Sequence, residues 1–190
     1  QVLETPMLGA IAHIPSSSPN PEAIALIQPQ SAYSEAYRML RTNLRYSLPV
    51  GTERRVFLVT STGPNEGKST TVTNLAVVTA QAGQRTILVD ADLRRPSLHR
   101  FWNCGSNGLG LSSLLVGEAA SLDDVIMDTA VPGLQLITSG PIPPSPTELL
   151  SSPKMAELLE EMVSRADVVF LDSPPLLAVA DANILAALAT

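Results

Sequence analysis

The chain has 190 residues, 45% of them apolar and 16% charged, against roughly 25% charged in ordinary globular proteins. That mix excludes intrinsic disorder and suits one domain with a sizeable core. Twelve Lys and Arg against eighteen Asp and Glu leave a net charge of −6, which argues against a dedicated duplex-DNA binder.

Residues 1–30 carry Pro6, Pro15, Pro19, Pro21 and Pro29 and a Ser16-Ser17-Ser18 run, and read as an extended lead-in. Residues 31–47 follow a helical period: Tyr37, Leu40 and Leu44 share one stripe, and Glu35, Arg38 and Arg41 fan across another. Pro49 and Gly51 end that helix. Residues 54–61 (RRVFLVTS) form a β-branched, apolar run expected to be a buried strand. A Pro/Asn/Gly loop leads into a helix over 67–82, closed by Gly83. A second buried strand is expected over 85–91 (RTILVDA), a short helix over 111–117, a strand over 134–138 and a helix over 153–165 with Met155, Leu158, Leu159 and Met162 inward. A further buried strand over 167–172 (DVVFLD) precedes a helical stretch over 179–189. Strands alternating with helices, without paired hairpin turns, predict an α/β fold with a mostly parallel sheet covered on both faces. Such sheets usually continue past a final helix, so the pattern reads as truncated at its C-terminus.

Asp181 and Asn183 interrupt the longest apolar candidate, so no run reaches the roughly 18 residues a membrane helix needs. Cys104 is the only cysteine; no internal disulfide or multi-cysteine zinc site can form, and a reducing compartment fits. His13 and His99 are isolated.

The chemistry is concentrated in the loop Thr60–Thr70, TSTGPNEGKST. Gly67-Lys68-Ser69 stands between a predicted strand and a predicted helix, the setting in which backbone N–H groups cradle phosphate. Lys68 would reach the β- and γ-phosphates and the Ser69 hydroxyl would bind Mg²⁺. Thr62 occupies the position where the GxxxxGK[ST] pattern has its first glycine. Asp90, Asp92 and Asp172 fall at the C-terminal ends of predicted strands, the end of an open α/β sheet outside which ligands bind. Asp172, after VVFL, has the Walker B form of a metal-holding acid, and Asp90 and Asp92 could orient an attacking hydroxyl or the water shell of the metal. ATP with Mg²⁺ is the ligand these residues imply. Arg94, Arg95 and Arg100 could neutralise an anion, although Arg95 and Arg100 read rather as a solvated basic turn. Phe101 and Trp102 read as structural.

On these motifs the chain resembles the bacterial (BY-type) protein tyrosine kinases of exopolysaccharide and capsule export. The phosphate loop resembles their Walker A, ILVDADLRRP (87–96) their Walker A′ and VVFLDSPP (168–175) their Walker B. EAYRMLRTNL (35–44) and GPIPPSPTELL (140–150) match two further signatures, and MLGAIAHIP (7–15) is similar to the segment after the second membrane helix of the fused co-polymerase kinases. The resemblance implies a P-loop NTPase-type kinase domain over 31–190, lacking its C-terminal strands and tail, behind a juxtamembrane-like lead-in. It further implies ATP and Mg²⁺, with nucleotide held by Thr62, Gly63, Pro64, Asn65, Glu66, Gly67, Lys68, Ser69 and Thr70. Lys68, Asp90 and Asp92 would be catalytic, Asp90 orienting or deprotonating the tyrosine hydroxyl, and Ser69, Asp92 and Asp172 would hold the metal. Glu35, Arg38 and Arg41 match an ExxRxxR motif that bridges subunits of a ring, their arginines lying off the apolar stripe and so free for a partner. The implied partners are further copies of the chain, a membrane co-polymerase segment or activator, and protein tyrosine substrates, with no nucleic acid, at the cytoplasmic side of the bacterial inner membrane. The acceptor tyrosines of the family cluster at the C-terminus, whereas this sequence has only Tyr33, Tyr37 and Tyr46.

Two other readings compete. A partition- or septum-site-type ATPase shares the layout but carries an additional lysine early in the loop, where this chain has Gly63. A nucleotide-gated assembly module could set polysaccharide chain length without transferring phosphate.

Overall fold

Alternate residues of the two central strands face different cores, and this decides the layering. A computed structural model of the chain describes residues 6–15, 23–48, 56–104 and 108–189. In it β1 (Val56–Val59), β2 (Thr86–Asp90), β3 (Ile126–Asp128), β4 (Leu134–Ile137) and β5 (Val168–Asp172) form one sheet of order β1-β5-β2-β4-β3. The pairs β1–β5, β5–β2 and β2–β4 are parallel, whereas β3 runs antiparallel to β4. Ile87, Val89, Val169 and Leu171 point to one face, and Leu88, Val168 and Phe170 to the other. With both faces buried, β2 and β5 are continuous apolar runs rather than alternating ones.

The helices divide between the faces as the sequence predicts. Helices α1 (Ile24–Ile27), α2 (Ala32–Ser47) and α3 (Lys68–Gln81) cover one side. On the same side α4 (Leu98–Phe101) contributes Leu98. The opposite side carries α5 (Leu111–Val116), α6 (Pro146–Leu150), α7 (Pro153–Arg165) and α8 (Asp181–Leu188). Helix α3 is enclosed by α1, α2 and the sheet and buries an unbroken run from Val72 to Ala80, so no single apolar stripe marks it. Helix α7 presents only Met155, Leu158, Leu159 and Met162 to the core, with Pro153 at its first turn.

Three features depart from the sequence expectation. Within the expected lead-in, Ile24–Ile27 make one helical turn whose Ile24 and Ala25 are buried. The Asn74 Oδ1 of α3 accepts the Ala25 amide at 2.8 Å. Leu8 and Gly9 lie against α2, where Asn43 donates to the Leu8 carbonyl and Leu40 faces Gly9. The third feature is a hairpin, β3–β4, in a sequence that showed no paired hairpin turn. Its connection spans residues 129–133 and is closed by Gly133 at φ 80°, a longer loop than the two-residue turns that a sequence displays clearly. The expected helix terminators Pro49 and Gly51, and the strand-leading Arg54 and Arg55, lie outside the described residues.

Candidate active site

All three parallel pairings bring strand C-termini to one mouth, and the loop between β1 and α3 closes over it. Asn65 and Gly67 take left-handed backbone angles, φ 61° and 83°, and α3 begins at Lys68. Thr62 does not need glycine's freedom. Its amide and hydroxyl donate to the Glu66 carboxylate at 2.9–3.0 Å, so Glu66 ties the loop shut. Hydrogen bonds from the Gly63 amide and from Thr62 lower the pKa of Glu66. The loop is stapled sideways to the segment after β5, with Thr60 Oγ1 donating to the Pro174 carbonyl at 2.8 Å and the Leu176 amide to the Ser61 carbonyl at 2.8 Å.

Lys68 Nζ reaches back across the mouth to Asp92 Oδ2 at 3.2 Å, Asp172 Oδ1 at 3.6 Å and Ser69 Oγ at 3.2 Å. Asp90 and Asp172 are register partners at the ends of adjacent strands, and both are fully buried. Burial, reinforced by the Asp172 charge, pushes the Asp90 carboxyl up to about 7. Burial likewise pushes Asp172 up to about 6, against the opposing pull of Lys68. Neither Asp172 oxygen has a hydrogen-bond partner among the described residues. Asp92 is held differently: its Oδ1 accepts the Arg94 and Arg95 amides, at 3.3 and 2.9 Å, while Oδ2 faces Lys68.

A cavity of about 440 Å³ opens over these groups. Pro64, Asn65, Gly67, Lys68, Ser69 and Thr70 form its loop wall, and Asp92, Arg95, Ser97, Arg100, Phe101 and Pro175 the other. Six of the nine loop residues expected to bind nucleotide therefore line it; Thr62, Gly63 and Glu66 shape the loop instead. Asp172 and Asp90 are both brought to the mouth without lining the cavity, and Asp90 is bound into the backbone. Its Oδ2 accepts the Ser97 and Leu98 amides, both at 2.9 Å, and Oδ1 is enclosed without a partner. Arg95 and Arg100, expected in a solvated turn, line the cavity, as does Phe101.

Glu35, Arg38 and Arg41 stand apart on α2. Arg38 pairs with Glu35 at 2.9 Å and donates to the Pro29 carbonyl, and Arg41 donates to the Val78 carbonyl of α3 at 2.7 Å. Both guanidinium groups thus have partners inside the chain, where the stripe pattern left them free.

Comparison with known proteins bears on the same region. A family model described as an AAA domain matches residues 63–189, which include loop residues 63–70 and all three acids. The tyrosine-protein kinase YwqD of Bacillus subtilis is 46% identical over 162 residues, covering 85% of this chain and 67% of YwqD. The chain belongs to the bacterial tyrosine-protein kinases. Of several longer members of this kinase family it spans only 20–22%. The crystal structure of the chimerical protein CapA2B2 superposes with a TM-score of 0.88 at 37% identity, over 97% of this chain and 77% of that one. The septum site-determining protein MinD of Pyrococcus horikoshii, complexed with Mg-ADP, gives 0.60 at 22% identity, over 72% of this chain and 54% of that one. That more distant likeness shows the P-loop fold alone.

Proposed function

We propose that this chain is the catalytic domain of a Mg-ATP-dependent protein tyrosine autokinase that regulates exopolysaccharide or capsule polymerisation and export. The observation that carries the catalytic part is the convergence of Lys68, Ser69, Asp92 and Asp172 at one phosphate loop. Phosphoryl transfer asks for positioning and charge neutralisation rather than a covalent nucleophile, and these residues supply both. Loop amides and Lys68 hold the nucleotide phosphates. The acceptor phenol oxygen bonds to the γ-phosphorus as the bond from that phosphorus to the departing ADP oxygen breaks, and the phenol proton passes to the Asp92 carboxylate. Asp92 on the cavity wall orients that hydroxyl; Asp90, committed to two backbone amides, supports the wall from beneath.

The donor set fits Mg²⁺. Asp172 is a buried carboxylate whose oxygens lack hydrogen-bond partners, and with Ser69 and Asp92 it offers hard oxygen ligands. No group of three or more His, Cys, Asp or Glu side chains that could hold a metal ion occurs among the described residues. Bound at the Ser69, Asp92 and Asp172 oxygens, Mg²⁺ would neutralise charge on the transferred phosphoryl group.

The polysaccharide role rests on the likeness of residues 35–44 and 140–150 to the export kinases. On the same footing, Glu35, Arg38 and Arg41 would join copies of the chain in a ring beside a membrane co-polymerase or activator, on the cytoplasmic side of a bacterial inner membrane. No helix among the described residues is long and apolar enough to cross a membrane. Phosphotyrosine formation from Mg-ATP tests the catalytic reading. Lys68→Met and Asp92→Asn should each lower the rate by about 100-fold or more, and unchanged rates would refute the assigned roles.

A further inference from the structure

Among the described residues, the cations of this acidic chain are mostly engaged with partners of their own. Arg38 pairs with Glu35, Arg85 with Asp167, Arg94 with Asp181, and Arg165 with Asp123 and Glu161. Arg95 differs: its guanidinium has no acceptor among the described residues, it is exposed, and it lines the cavity. Arg100, which also lines the cavity, reaches only the Pro96 carbonyl among the described residues, at 3.3 Å. The backbone beneath both is fixed by the mouth acids. Asp92 accepts the Arg95 amide, and Asp90 accepts the Ser97 and Leu98 amides that start the turn carrying Arg100. Such pre-ordering lowers the cost of binding.

Resting on the kinase reading above, we infer that Arg95 and Arg100 select acceptor tyrosines flanked by acidic residues. Nucleotide phosphates are provided for by the loop amides and Lys68 on the opposite wall. The two arginines line the same cavity as Asp92, Phe101 and Pro175, the last two offering an entering phenol ring an aromatic and an aliphatic surface. The molecule as a whole carries −6 and repels an acidic segment at a distance. Two unneutralised guanidinium groups on the cavity lining give such a segment a local counter-charge and hold carboxylates by charge-assisted hydrogen bonds.

The test uses the full chain with Mg-ATP and two synthetic peptides, one tyrosine flanked by glutamates and the same peptide with glutamines. The unmodified chain should favour the glutamate peptide by about tenfold in kcat/KM, mostly through peptide KM, and the preference should shrink as salt is raised. Arg95→Gln and Arg100→Gln should each bring the ratio toward one. Arg85→Gln, which removes an equal charge at the start of β2, should leave it. Equal use of both peptides by the unmodified chain overturns the inference, as does a loss in the arginine variants that falls on KM for ATP. Phosphotyrosine on neither peptide while Mg-ATP still binds defeats the kinase reading, and acidic selection falls with it.

Discussion

At the mouth of the sheet, Asp90 and Asp172 sit side by side at strand ends with pKa values raised to about 7 and about 6 from an ordinary 3.8. Between 3.8 and those values the folded chain binds more protons than the unfolded one. The stability these groups confer is therefore complete below about pH 4 and is lost as pH rises through 6 and 7. Asp181 acts in the opposite sense. Burial alone would raise its pKa, but hydrogen bonds from Arg94 and Thr147 outweigh that and leave it lowered, so its contribution is present above the ordinary carboxylate range and is lost on acidification. Asp172→Asn removes a buried charge without changing shape. It should raise the melting temperature at pH 8, without nucleotide, by about 2–4 °C, and by less at pH 5, while abolishing phosphotransfer. A lower melting temperature at pH 8 would mean that attraction to Lys68 outweighs the burial of Asp172. Such a residue, costly to the fold and retained at the mouth, is the kind expected where function sets the charge.

Between elements, the turn after β2 is anchored at both of its ends. Asp92 holds the Arg94 and Arg95 amides, and the Arg94 side chain crosses to α8, where its Nε meets Asp181 Oδ2 at 2.7 Å. Thr147 of α6 donates to the same carboxylate at 2.6 Å. Asp181 is fully buried while Arg94 is partly open to water, so Arg94→Ala leaves an under-paired carboxylate whose other partner remains. The expected loss is about 1–2 kcal/mol in urea melts, with a fall in phosphotransfer rate as Asp92 loses its fixed turn; unchanged stability would contradict this lock. Elements of this kind were legible unequally. Helix α7 has the bounds read from its period and its leading Pro153, and β2 and β5 fall within the buried runs that announced them. The segments α1, α4, α6 and β3 are three to five residues long, too short to display a period, and tertiary packing rather than local pattern forms them. The same limit applies at the site. Lys68, Ser69, Asp92 and Asp172 were readable because motif and strand end coincide. Arg95, Arg100 and Phe101 reach the cavity through the path of a turn that no spacing encodes.

For the whole molecule, the strand order β1-β5-β2-β4-β3 explains why residues distant in sequence act together. Parallel pairing aligns β1, β2 and β5, so the phosphate loop, the Asp92 turn and Asp172 all emerge at one edge. In the proposed reaction ATP and the acceptor would meet in the one cavity at that end, lined by both the phosphate loop and the Asp92 turn. The proposed reaction transfers phosphate to tyrosine rather than to water. The most direct measurement supplies the chain with Mg-ATP and a glutamate–tyrosine copolymer and counts ADP and phosphotyrosine in the same reaction. One phosphotyrosine for each ADP is the predicted result; ADP accumulating without phosphotyrosine would contradict it.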